Sequence, residues 1–116
     1  MSADATAQIE NTFLSLSQVE REAIITHGAA MRLSSLKQRL FLAQSKVRNF
    51  EEKYRTTLKK LSRAGLPDQA GYEMHEDYLM WLHWADVAVQ CEKDLVILEK
   101  ITNRGLYTDE PGYAGE

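Results

Sequence analysis

The densest run of chemically capable side chains is Tyr72-Glu73-Met74-His75-Glu76-Asp77-Tyr78-Leu79-Met80-Trp81-Leu82-His83-Trp84. Its histidines and carboxylates are the types that ligate metals or move protons. Helical metal sites place such ligands three or four residues apart. Here His75 has Leu79 four residues on, and His83 has Leu79 four before and Val87 four after. No Glu-x-x-His or His-x-x-x-His pair occurs; only Glu76 with His83, or His83 with Asp86, could share a face. No metal or cofactor is therefore expected. Glu73, Glu76 and Asp77 read instead as an acidic helix start, where the helix dipole favours negative charge. Cys91 lies in an apolar spacing, where a thiol is usually inert. The six glycines never cluster, so neither a phosphate loop nor a nucleophile elbow is present. No catalytic residue is expected, and the chain reads as non-enzymatic.

The remaining chemistry is binding. From Arg32 to Arg63 ten Lys/Arg face two acids, a net of +8, whereas Leu66 to Glu116 carries three Lys/Arg against eleven acids, a net of −8. Opposite halves can complement each other in one fold, or leave a basic surface free. Lys37, Lys46, Lys53 and Lys60 lie seven to nine residues apart on one flank and are the candidate phosphate contacts. Leu16 to Leu40 faintly suggests a helix-turn-helix around Gly28, although Ile24 stands where that motif takes a small residue. Tyr54, Tyr78, Trp81 and Trp84 are expected to pack a core or meet a partner, since large aromatics dominate both kinds of contact.

Two long helices must position these residues. Ala29, Leu33, Leu36, Leu40, Ala43, Val47, Phe50, Tyr54, Thr57 and Leu61 alternate steps of four and three, and all but Thr57 are apolar. Such a seam needs a partner. Met74, Trp81, Trp84, Ala88, Cys91, Leu95 and Leu98 follow the same spacing, with Asp77 as the polar exception. Tyr78, Leu82, Ala85, Val89 and Ile101 widen this second stripe. Between the seams, Gly65-Leu66-Pro67 is a helix stop. Helix 1 is expected over about 16–64 and helix 2 over about 73–103, preceded by an N-terminal helical segment at 4–14. Ser15 with Gln18, or Ser17 with Glu20, offers a capping box for helix 1. Its weak point is Thr26-His27-Gly28, where the sequence predicts either a kink or a continuous helix packed on something else. Residues 105–116, rich in glycine and acid, read as a flexible tail.

These features predict one all-α domain over 1–104, a long antiparallel helical hairpin of coiled-coil type. The unequal arms differ by about 25 Å at 1.5 Å per residue, so a dimeric helix bundle is expected. Charged residues at 27% and aromatics at 9% favour folding over disorder. No apolar run reaches the ~20 residues of a membrane span. The first ten residues lack the basic and apolar regions of a signal peptide. With Cys91 as the sole cysteine, a cytoplasmic location is expected.

The order Phe50-Glu-Glu-Lys-Tyr54…Leu58…Leu61…Gly65-Leu-Pro-Asp…Glu73-x-His75-Glu-Asp77-Tyr78-Leu-x-Trp81 resembles small prokaryotic helical-hairpin proteins of two-gene, toxin–antitoxin-type modules. The resemblance covers roughly Leu33 to Ile101. It implies a non-enzymatic, antitoxin-like protein that neutralises a toxin-like partner by occlusion and also pairs with itself. The alternatives are a nucleic-acid-binding protein using the basic helix 32–63, and a structural oligomer or assembly adaptor.

Overall fold

The structure is a computed structural model that describes residues 3–104. The expected tail at 105–116, with Tyr107 and Tyr113, lies outside the described residues. Four helices account for most of the described chain, which contains no strand: α1 (Ala3–Leu14), α2 (Gln18–Tyr54), α3 (Leu58–Ala64) and α4 (Tyr72–Arg104). The all-α hairpin of two long helices, α2 and α4, matches the fold predicted from the two seams.

The chain divides into two compact units, one of residues 35–95 and one of residues 1–34 with 96–116. In the 35–95 unit, α2 buries Leu36 and Ala43 and half-buries Leu40, Val47, Phe50 and Tyr54. There α4 buries Trp81, Val87, Cys91 and Leu95, and α3 adds Leu61. Each large apolar side chain withdrawn from water contributes about 1.5–3 kcal/mol, so this seam carries the stability of the unit. In the other unit α2 buries Thr26 and Ala29, and α4 buries Thr102. The Thr102 hydroxyl donates to the Glu99 carbonyl at 3.1 Å, which satisfies its polar group within the helix. Thr26 extends the α2 seam one step beyond Ala29. Glu22, the next position back, is exposed, so the seam ends there.

Helix 1 is not continuous over 16–64. α2 stops at Tyr54, and α3 begins at Leu58. Arg55 has φ = 54°, a left-handed conformation that ends the α2 hydrogen-bond ladder as glycine often does elsewhere. Thr57 then takes extended angles and caps α3, its Oγ1 accepting from the Lys60 N–H at 3.2 Å. The one polar residue in the predicted first seam is therefore a cap rather than a seam member. A Thr N-cap is worth about 1 kcal/mol, comparable with the cost of placing Arg55 at positive φ. At the end of α3, Gly65 has φ = 83° and ψ = 161°, a glycine-favoured conformation, and its N–H returns to the Leu61 carbonyl at 2.7 Å.

The start of α2 uses the second capping choice. Ser17 Oγ accepts from the Glu20 N–H at 3.2 Å, whereas the Ser15 hydroxyl donates back to the Thr12 carbonyl at 2.6 Å. Arg21 reaches over the α1–α2 turn and donates to the Leu14 and Leu16 carbonyls. α2 runs through Gly28 without a break, so of the two expectations for Thr26-His27-Gly28 the continuous helix is the observed one. A Cβ built on Gly28 meets nothing within 4 Å. Gly28→Ala is therefore expected to raise stability by about 0.5–1 kcal/mol through helix propensity and a less flexible unfolded chain. Urea denaturation followed by circular dichroism would show this as a higher midpoint at unchanged slope. A lower midpoint would mean that the position is packed.

Candidate partner-binding site

The unit of residues 35–95 brings together side chains that lie twenty or more positions apart in sequence. Asp77, the polar exception in the α4 seam, accepts through one carboxylate oxygen from the Tyr54 hydroxyl at 2.6 Å and from Lys53 Nζ at 2.6 Å. Lys53 also pairs with Glu73. The Lys53 and Tyr54 bonds hold the Asp77 carboxyl below its usual range. Partial burial and the adjacent Asp77 charge push the Tyr54 phenol up. Hydrogen bonds to Asp77 and Glu73 raise the Lys53 ammonium well above its ordinary value. Beneath this cluster Trp81 is fully buried. Its indole stacks on Phe50, with centroids 5.7 Å apart, and on Tyr54, with centroids 6.1 Å apart. The Trp81 Nε1–H has no acceptor among the described residues. Tyr54 thus joins the ion pair to the aromatic core.

The other sequence-predicted residues fall into two groups. Tyr78 is half-buried and shares a 3.0 Å hydrogen bond with Ser62 of α3, which ties α3 to α4. Trp84 is half-buried and meets the His83 ring edge-on at 5.0 Å. Tyr54, Tyr78 and Trp81 thus pack within one unit, and Trp84 is half-buried in it. Of the four candidate phosphate contacts, Lys53 is held by two acids. Lys37, Lys46 and Lys60 are exposed and pair with no acid among the described residues. Lys53 is therefore committed to the hairpin, because its ammonium meets two carboxylates on the facing helix.

No group of three or more His, Cys, Asp or Glu among the described residues is arranged to hold a metal ion. His75 donates its Nδ1–H to the Gly71 carbonyl at 2.9 Å, at the start of α4. Cys91 is a buried free thiol. No described helix is long and apolar enough to cross a membrane.

What stays open is apolar. In the unit that contains residues 1–34, Ile24 and Met31 are 49% and 62% exposed. Gly28 lies between them at steps of four and three, so the three share one helix face. No sequence motif marks this face. Its only sign in the sequence is that the first arm is longer than the second. No family model, curated protein or solved structure matches this chain.

Proposed function

We propose that this chain is a non-enzymatic protein-binding module that acts by occlusion, laying the Ile24–Gly28–Met31 face of α2 on an apolar surface of a partner protein. The observation that carries this reading is the exposure of Ile24 and Met31 on a helix whose other face is occupied by its own seam. Large apolar side chains grouped on one exposed face mark interaction sites, and the glycine between them allows close approach of a partner backbone. The resemblance at Phe50 to Trp81 adds a class of partner, a toxin-like protein, with this chain as the antitoxin-like member. The single unpaired cysteine suits a reducing compartment such as the cytoplasm.

The chain, tagged and expressed in its native host, is expected to co-purify one protein in stoichiometric amount. Ile24→Asp with Met31→Asp should abolish that capture while leaving the helical circular dichroism unchanged. A complex that survives both changes would sink this reading.

A second reading, nucleic-acid binding by the basic arm, is favoured by one observation: Lys37, Lys46 and Lys60 have no acidic partner among the described residues. Salt separates the two. Nucleic-acid affinity with several phosphate contacts falls by orders of magnitude between about 50 and 200 mM salt, whereas apolar docking does not.

A further inference from the structure

Within residues 35–95 the two arms carry opposite charge. α2 has Lys37, Arg39, Lys46, Arg48 and Lys53 against Glu51 and Glu52. α4 has six acids there against Lys93. Of these α2 cations, only Lys53 finds an acid among the described residues. The other four, and Asp86, Glu92 and Asp94 of α4, form no ion pair among the described residues.

Beside this unspent charge lies an open apolar groove of about 410 Å³, lined by Gln44, Val47 and Arg48 of α2 and by Ala85 and Ala88 of α4. On its α4 side the lining residues Ala85 and Ala88 are small, which lets another helix come close. On the α2 rim Lys37, Phe41, Gln44 and Arg48 recur at steps of four, three and four, so they share one face. Phe41 there is 69% exposed. On the α4 rim Leu82, Ala85, Val89 and Glu92 recur at steps of three, four and three, and Leu82 and Val89 are also exposed.

We infer that a second copy of this chain docks on this face, with α2 of each copy lying along α4 of the other. The antiparallel order of the hairpin fixes the levels. Tyr54 stands beside Asp77, Phe50 beside Trp81, and Gln44 to Arg48 beside Ala85 to Ala88. Lys37 is therefore near the level of Glu92, Phe41 near Val89, and Arg48 near Leu82. A two-fold axis parallel to the helices preserves these levels while setting Lys37 and Phe41 on the α2 rim of one copy against Glu92 and Val89 on the α4 rim of the other. Lys37 then meets Glu92 of the second copy, and Phe41 covers Val89. Because one chain carries both rims, a single symmetric contact satisfies both at once, as an isologous interface requires. An unrelated partner would have to carry both rims itself.

The test is the mass of the full chain by sedimentation equilibrium and light scattering. Wild type is expected to be a dimer. Lys37→Glu alone and Glu92→Lys alone should each raise the dimer dissociation constant about tenfold or more, through like-charge contacts across the interface. Phe41→Glu should give a monomer of unchanged helix content. The decisive arm mixes the two single charge variants. In the mixed dimer the introduced glutamate of one copy faces the introduced lysine of the other. The second contact joins the unaltered Lys37 and Glu92, so the mixture should regain the wild-type dimer. A mixture that stays monomeric, or a wild type that is monomeric at the highest soluble concentration, overturns the proposal. These residues differ from those of the proposed partner face. A monomer that still captures its partner through Ile24 and Met31 therefore refutes the dimer alone, and a dimer that captures nothing refutes the partner reading alone.

Discussion

Trp81→Ala is expected to lower the stability of this protein by about 3–5 kcal/mol, the usual cost of truncating a fully buried tryptophan. Trp81 is the one large side chain among the described residues with no exposed surface, and it stacks on Phe50 and Tyr54 of the facing helix. Removing it opens a cavity where α2 and α4 are joined by stacked rings. Small domains have net stabilities of about 5–15 kcal/mol, so this loss is a large fraction of the total. Its melting midpoint should fall by on the order of 15 °C or more. Trp81→Phe should cost far less, about 1 kcal/mol, because it keeps the stack and removes an indole N–H that has no acceptor among the described residues. Trp84→Ala should also cost less, since Trp84 is half-buried and contacts His83 edge-on. Calorimetry of the three variants gives the ranking. Equal losses for Trp81→Ala and Trp84→Ala would refute the view that the core centres on Trp81.

Asp77→Asn is expected to have the second largest effect, and a pH signature of its own. Its carboxylate accepts from Lys53 and from the half-buried Tyr54 hydroxyl. Weakening the Tyr54 bond costs about 1–2 kcal/mol near pH 7. The Lys53 contact lies in water and is screened, so its share should shrink with added salt. The Asp77 carboxyl titrates lower in the folded chain than in the unfolded one. Its stabilisation is therefore complete above the unfolded value and is lost as pH falls through the lower folded value. Tyr54 and Lys53 are shifted upward, so their share is complete below their unfolded values and is lost as pH rises through the folded ones. Denaturant midpoints of the wild type should form a plateau that falls at both ends. In Asp77→Asn the acid limb should flatten, because the group that titrates there is gone. An acid limb of unchanged steepness would assign it to other carboxylates.

Much of the fold was legible in the sequence. The apolar members of the first seam, from Ala29 to Leu61, are each buried or half-buried. In the second seam, Trp81, Cys91 and Leu95 are buried, and Met74, Trp84, Ala88 and Leu98 are half-buried. The stop at Gly65 was also legible, because a glycine followed by Leu-Pro constrains the backbone locally. The two polar members of the seams were visible as exceptions, but their purposes were not. Thr57 caps a helix that exists only because Arg55 turns left-handed, and arginine gives no sign of that conformation. Asp77 binds Tyr54 and Lys53, residues 23 and 24 positions away, so no local pattern could reveal the pairing.

The candidate partner faces show the same division. Ile24, Met31 and Phe41 fit no seam, and a helical wheel leaves them as unassigned apolar residues. Their exposure becomes known only when the opposite face of α2 is seen to be closed. By itself the sequence determined what depends on neighbours along the chain: helical period, seam position, charge per arm and the site of the turn. Backbone geometry repeats every 3.6 residues, so residue spacing alone carries that information. The tertiary structure alone decided which lysine is neutralised, where the first helix breaks, which aromatic ring is buried and which apolar faces remain open. Each of these depends on what the antiparallel arm brings alongside, and a side chain's solvent, charge partner and packing are set by neighbours that are distant in sequence.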